Sequence, residues 1–204
     1  MKVPSLGDLT TASPWIYDCS QRLISFNYRL IKYHLKQWNG LQAGNTCLDI
    51  ACGVGALQSF IKKNKLRYYG VDINQGYLDY ARARHGPHFE ILDARHLSRL
   101  NQEFDILLSI GLFHHLTDET CRCVLEEARS VLKENGRYFI LDAIPAEPGN
   151  RVGSFLRKQD AGSHIRNMDA WNSLFDEFFI IEKAIRCAHW PYDYGVFHLR
   201  RRPS

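Results

Sequence analysis

From Pro14 to Trp38 the apolar residues Ile16, Leu23, Ile24, Phe26, Leu30, Ile31 and Leu35 recur at helical spacing. That spacing predicts a helix over 14–38, with Pro14 suited to its first turn and Asn39-Gly40 as its stop. Short apolar runs follow at 46–51, 67–73, 88–94, 103–111 and 137–144, and they predict strands. Helical patterns separate them: one reaching about Lys65, one over 75–85, and one over 118–136 with Asp118 as N-cap and Asn135-Gly136 as the close. The run "EFDILLSIG" (103–111) is continuously apolar in its middle, as a strand covered on both faces should be. This alternation predicts a parallel sheet with helices on both faces.

The pattern changes after residue 144. Residues 145–167 are rich in Gly, Pro and charge, and "MDAWNSLFDEF" (168–178) reads as a helix. The runs "FIIEKAIRCAHW" and "YGVFHLRRR", joined by "PYD", read as a hairpin, so the last strand should run antiparallel. The expected fold is a single α/β domain, a doubly wound seven-stranded sheet, mostly parallel with an antiparallel last strand. Its parts are an N-terminal helical lid (1–44), a cofactor-binding core (45–144), a substrate-side insertion and helix (145–177) and a C-terminal hairpin (178–204).

In such a sheet, ligands sit at the carboxyl ends of the strands, near the switch in strand order. The turn "ACGVG" (51–55) follows the first strand there, and Gly53 and Gly55 leave the backbone bare for a ligand. Two cofactor types fit. A dinucleotide brings a pyrophosphate to a helix N-terminus, whereas S-adenosylmethionine brings an ammonium, a carboxylate, a sulfonium, a ribose and an adenine. Asp49, at the end of the first strand, separates them, because a carboxylate repels pyrophosphate and accepts hydrogen bonds from an ammonium. The turn also departs from dinucleotide spacing, with Ala51 and Gln58 at the first and third glycine positions. Asp72 closes the second strand and can accept from both ribose hydroxyls of either cofactor, or else cap a helix; Ile73 offers adenine an apolar face. Asp93 ends the third strand, where its carboxylate, or the backbone of Ala94, can meet the adenine edge.

The segments "LDIACGVG", "GVDIN", "ILDARHL", "FDILLSIGLFHHL" and "LKENGRYFILDAI" resemble, in order and spacing, the motifs of class I S-adenosylmethionine-dependent methyltransferases. The similarity covers about residues 45–144 and is greatest to the small-molecule branch with "HHL" after strand four; the reversed final strand is also a hallmark of that family. The resemblance implies that Asp49, Ala51, Gly53 and Gly55 line the methionine portion, Asp72 and Ile73 take ribose and adenine, and Asp93 and Ala94 take the adenine edge. It implies that Ser109 and Ile110 offer backbone oxygen to the ammonium. The first motif departs from the family pattern at Ala51, where glycine is usual; alanine is small enough provided the position does not demand a positive φ.

Methyl transfer from a sulfonium needs alignment and exclusion of water, and an oxygen or nitrogen acceptor can also need a base. His114 and His115 follow strand four, where one could act on an acceptor or both could pack between strand and helix. In "RKQDAGSHIR", His164 is a second candidate base beside Asp160, and Arg157 or Arg166 could hold an anionic acceptor; the alternative is a surface loop with Asp160–Arg ion pairs. Tyr17 and Gln21 share a helix face and could close over cofactor or substrate, while Asp18 and Arg22 read as a solvent-facing pair.

Composition narrows the remaining classes. The net charge of +4 owes much to the terminal "HLRRRPS" and forms no concentrated basic face, which disfavours a nucleic-acid partner. Six scattered cysteines read as reduced thiols, and neither they nor the histidines form a metal cluster in the sequence. The apolar runs are shorter than a membrane span and the first residues lack a signal-peptide core, so a cytoplasmic protein is expected, as a monomer or homodimer. The expected activity is methyl transfer from S-adenosylmethionine to an oxygen or nitrogen of a small molecule. The competing readings are methylation of tRNA or protein, a non-catalytic module that binds the same cofactor, and a nicotinamide-dependent oxidoreductase.

Overall fold

The computed structural model describes residues 13–24, 28–38, 40–158, 164–189 and 191–203. Its strands are β1 (Thr46–Ile50), β2 (Arg67–Asp72), β3 (Phe89–Ile91), β4 (Phe104–Ile110), β5 (Leu132–Ala143), β6 (Phe179–His189) and β7 (Tyr192–Arg201). They form one seven-stranded sheet in the order β3-β2-β1-β4-β5-β7-β6. Pairings among β1 to β5 are parallel, and β7 is antiparallel to both of its neighbours. The strand order reverses between β1 and β4, so the ends of those two strands flank the switch point. The doubly wound α/β fold expected from the alternation of patterns is the fold observed.

Helices α1 (Pro14–Ile24), α2 (Arg29–Gln37), α3 (Gln58–Lys63), α4 (Gln75–His85), α5 (Asp118–Val131), α6 (Arg151–Lys158) and α7 (Met168–Asp176) accompany the sheet. Alternate strand residues face opposite sides. Leu48, Ile50, Leu107 and Ile140 pack with Val124 and Leu125 of α5 and with Trp171 and Phe175 of α7. Cys47, Ile106, Leu108, Phe139 and Leu141 pack with Leu35 of α2, Ile61 of α3 and Leu78 of α4. Each buried Leu or Ile contributes roughly 1.5–3 kcal/mol. Alternation along β1 also puts the Asp49 side chain on the same face as Cys47, under the helices, which is why a carboxylate at this strand end is only 3% exposed.

Several elements differ from expectation. The helix expected over 14–38 is two helices, and Tyr28 just before α2 has a left-handed backbone (φ 59) that a continuous helix does not admit. The helix expected to reach residue 136 stops at Val131. Its first residue is Asp118, and the N-cap is Thr117, whose hydroxyl accepts from the Thr120 amide. Asn135-Gly136 falls in an irregular start of β5, where the register against β4 jumps from Phe104↔Leu132 to Ile106↔Arg137. A Cβ on Gly136 would lie 2.5 Å from the Leu132 side chain, so glycine there serves close packing within the bulge and not helix capping. β3 is only Phe89–Ile91, and Asp93 lies beyond it as the N-cap of a 3-10 segment, Ala94–Leu100. Helix α6 arises inside the Gly-, Pro- and charge-rich insertion. Its Gly153 lets the helix meet the hairpin: a Cβ there would lie within 3 Å of the Pro191 carbonyl.

Candidate cofactor and acceptor site

The turn after β1 is built from left-handed backbone at alternate positions: Ala51 (φ 58), Gly53 (φ 54) and Gly55 (φ 71). Ala51 therefore does occupy a positive-φ position, contrary to the condition under which alanine was an innocuous replacement. An L-residue there carries roughly 1–2 kcal/mol of strain. The two glycines differ in kind. Among the described residues, a Cβ on Gly53 would meet only the Tyr17 ring, at 3.8 Å, whereas one on Gly55 would lie 2.6 Å from the Phe89 ring. Gly53 keeps the turn bare, and Gly55 lets it pack on β3.

Carboxylates flank this turn. Asp49 is buried and accepts from the Tyr68 hydroxyl at 2.7 Å. Burial raises its pKa to about 7 against the opposing Tyr68 bond, and the nearby Asp72 charge adds to the rise. Asp72 accepts from the Gly53 amide through Oδ2 and from the Asn74 amide through Oδ1, both at 2.8 Å. The N-cap of α4 is Asn74, whose side chain accepts from Tyr77, so capping is not the role of Asp72. Ile73 beside it is 71% exposed, as an apolar surface for a flat ring would be. Tyr17 of α1 reaches over Gly53 and stacks on Tyr77 with centroids 4.9 Å apart. Burial pushes the Tyr17 hydroxyl up to about 12. Helix α1 is fixed from below by Asp18, which is not solvent-facing as its spacing with Arg22 suggested: it is 3% exposed and accepts from Arg22 and from the Tyr80 hydroxyl.

Other residues singled out in the sequence are placed as follows. Asp93 accepts from the Arg95 side chain and amide, and the Arg95 guanidinium holds its pKa down to about 2. Ala94 packs against the core. The Ser109 side chain turns to the α5/α7 face, where its hydroxyl and that of Tyr138 lie 2.6 Å apart, while Ile110 packs on the opposite side. Asp160 and the side chains of Gln21 and Arg157 lie outside the described residues. The Arg166 guanidinium bonds Asp118 and the carbonyls of Phe113, Leu116 and His164, and lies 4.6 Å over the Trp171 ring. Those partners engage it as a clamp between α5, α7 and the turn after β4, and give no support to the anion-holding role that sequence allowed.

That turn, a 3-10 segment over Phe113–His115, brings together what the sequence kept apart. His114 Nδ1 lies 2.6 Å from Oδ1 of Asp142, a fully buried carboxylate near the end of β5. The exposed His115 ring lies 4.0 Å from that of His114, and the His164 amide donates to the His114 carbonyl. Asp142 escaped the sequence reading because "RYFILDAI" shows only a strand and gives its acid no partner; the parallel pairing of β4 with β5 supplies one. Among the described residues, no group of three or more His, Cys, Asp or Glu could hold a metal ion. All six cysteines are free thiols.

Residues 47–136 match the model of a family described as a methyltransferase domain. That match runs from β1 into β5 and takes in the turn at 51–55 and the acids beside it. It is 31% identical over 139 residues to a 2-phytyl-1,4-naphtoquinone methyltransferase of Trichormus variabilis, a similarity covering 62% of this chain and 59% of that protein. Across the curated relatives it matches, the chain spans between 40% and 59% of their length. Among solved structures it is similar to the putative methyltransferase complexed with the Trm112 activator of Haloferax volcanii, at a TM-score of 0.75, 16% identity and 98% and 100% coverage of the two chains. It is also similar to the magnesium protoporphyrin IX methyltransferase of Synechocystis with bound SAH, at a TM-score of 0.68, 17% identity and 90% and 87% coverage. These likenesses establish the fold.

Proposed function

We propose that the protein transfers a methyl group from S-adenosylmethionine to an oxygen or nitrogen of a small-molecule acceptor. The observation that carries this reading is the bare turn at 51–55 with Asp49 and Asp72 beside it, close enough for one charge to raise the pKa of the other. Such a site fits a cationic, phosphate-free nucleoside: an ammonium relieves the strain between the carboxylates, and a pyrophosphate adds to it. Bound there, S-adenosylmethionine supplies a methyl group already activated on sulfur.

The chain's own residues then have separable tasks. Asp49 and the backbone of 51–55 take the amino-acid end, with backbone oxygen of Ser109 and Ile110 reaching its ammonium. Asp72 accepts from the ribose hydroxyls once the Gly53 amide releases it, Ile73 lies against adenine, and Asp93 and Ala94 meet the adenine edge. Tyr17, with Gln21 on the same helix, closes the site against water. On the acceptor side, the His115 ring and the His164 amide adjoin His114. The small-molecule class is supported by the relatives, two of which are quinone methyltransferases by name.

Incubation with methyl-tritiated S-adenosylmethionine and fractionated metabolites, followed by mass spectrometry of the labelled product, tests this reading. Label in a small organic molecule supports it. Label only in macromolecules, or none, overturns it.

A further inference from the structure

Asp49 shares a face of the sheet with Cys47 of β1 and with Tyr68, Gly70 and Asp72 of β2, and its cross-strand partner is Gly70. Glycine there leaves a gap. A Cβ on Gly70 would lie 2.8 Å from the Cys52 sulfur and 2.8 Å from the Phe89 ring. The gap lets the first turn fold back onto β2, and Asp49 stands beside both Tyr68 and Asp72.

The groups facing Asp49 include one strong donor. Tyr68 is 2% exposed and gives its hydroxyl to Asp49 Oδ2 at 2.7 Å. Burial, and then the Asp49 charge, push that hydroxyl's pKa far up, so it keeps its proton and stays a donor. The Cys47 and Cys52 thiols are pushed up by burial and by the same charge, and are neutral. Tyr138 of β5 is held neutral by burial, and Asp72 is a second acid. No lysine, arginine or histidine among the described residues offsets the Asp49 charge, and Oδ1 has no donor of its own among them. A buried acid with one oxygen satisfied and no cation beside it is completed by a ligand that brings the cation.

We propose that Tyr68 is a positioning residue for the cofactor: its hydroxyl fixes Asp49 through Oδ2 and leaves Oδ1 to receive the cofactor's ammonium. The inference rests on the methyl-transfer reading above. It divides ligands into two classes. S-adenosylmethionine and S-adenosylhomocysteine carry the ammonium, and their affinity depends on Tyr68. 5′-Methylthioadenosine lacks the amino-acid end, and its affinity does not. The Tyr68 bond favours the ionised carboxylate. Binding of an ammonium therefore strengthens as pH rises through about 7, and loss of the bond moves that rise upward.

The test is calorimetric titration of the full chain and of Tyr68→Phe with S-adenosylhomocysteine and with 5′-methylthioadenosine across neutral pH. Wild-type affinity for S-adenosylhomocysteine should rise through about pH 7. In Tyr68→Phe that rise should move up by about 1–2 pH units, as expected for the loss of a hydrogen bond to a charged group, and affinity at pH 7 should fall about 5–50-fold. Affinity for 5′-methylthioadenosine should be the same in both proteins. A second measurement needs no change at residue 68 and decides the matter if Tyr68→Phe does not fold. With carbon-13 at tyrosine Cζ, one signal should titrate with the midpoint of the affinity and lose that titration in Asp49→Asn. Equal weakening of both ligands in Tyr68→Phe, an unmoved midpoint, or no such Cζ signal overturns the proposal and leaves the methyl-transfer reading standing. Failure of the wild type to bind S-adenosylhomocysteine at any pH overturns that reading, and the role of Tyr68 with it.

Discussion

The Tyr68 hydroxyl donates to Asp49 Oδ2 at 2.7 Å inside the protein, two strands of one sheet thereby sharing a single buried proton donor and acceptor. The bond does not offset the desolvation of Asp49, whose pKa stands at about 7 against an ordinary 3.8. The folded state thus keeps a proton that the unfolded chain releases. The contribution of Asp49 to stability is complete below pH 4 or so and is lost as pH rises through about 7. Asp49→Asn keeps an acceptor for Tyr68 and has no charge to bury. Chemical denaturation should find the variant more stable than wild type at pH 8, by a smaller margin at pH 5, little changed at pH 3, and without detectable cofactor affinity at neutral pH.

The same pKa predicts proton release on binding. An ammonium held by Asp49 favours its ionised form, so cofactor uptake at pH 6 should expel a proton. Calorimetric enthalpies measured in buffers of different ionisation heat should then diverge at pH 6 and converge at pH 8.

Ala51 holds a left-handed conformation that glycine adopts without strain. Ala51→Gly should stabilise the protein by about 1 kcal/mol, a rise in Tm of roughly 2–4 °C for a chain of this size. Differential scanning calorimetry checks it. A lower Tm would mean that the turn relaxes around alanine.

The two glycines of the turn should separate binding from folding. Gly53→Ala places a methyl group 3.8 Å from the Tyr17 ring, and should weaken cofactor binding more than tenfold with modest loss of stability. Gly55→Ala drives its Cβ to 2.6 Å from Phe89 and should destabilise by about 1–3 kcal/mol as well. Paired denaturation and binding curves distinguish the two.

The sequence made the sheet and its acid-bearing carboxyl edge legible because both are local signals: apolar runs of strand length, and small or acidic residues at their ends. The "DILLSI" run became the central buried β4, and Asp49 and Asp72 stand beside the turn as expected. What stayed hidden depends on contacts between distant segments. Asp18 and Arg22 were spaced like any surface pair, and only the packing of α1 on α4 buries the acid under Tyr80. Asp142 became interpretable only once β5 paired with β4 and set it 2.6 Å from His114. Arg166 could not be read as a clamp from "SHIRN", since its partners at 113, 116, 118 and 171 come from other elements.

The central claim is that two carboxylates beside a bare turn select a cationic nucleoside without phosphate. Calorimetric titration of the wild-type protein and of Asp72→Ala, each with S-adenosylmethionine and with NAD⁺, tests it most directly. The account predicts saturable binding of S-adenosylmethionine, a severe loss of that affinity in Asp72→Ala, and no heat from NAD⁺ with either protein. Binding of NAD⁺ to the wild type, or undiminished S-adenosylmethionine affinity in Asp72→Ala, would contradict it.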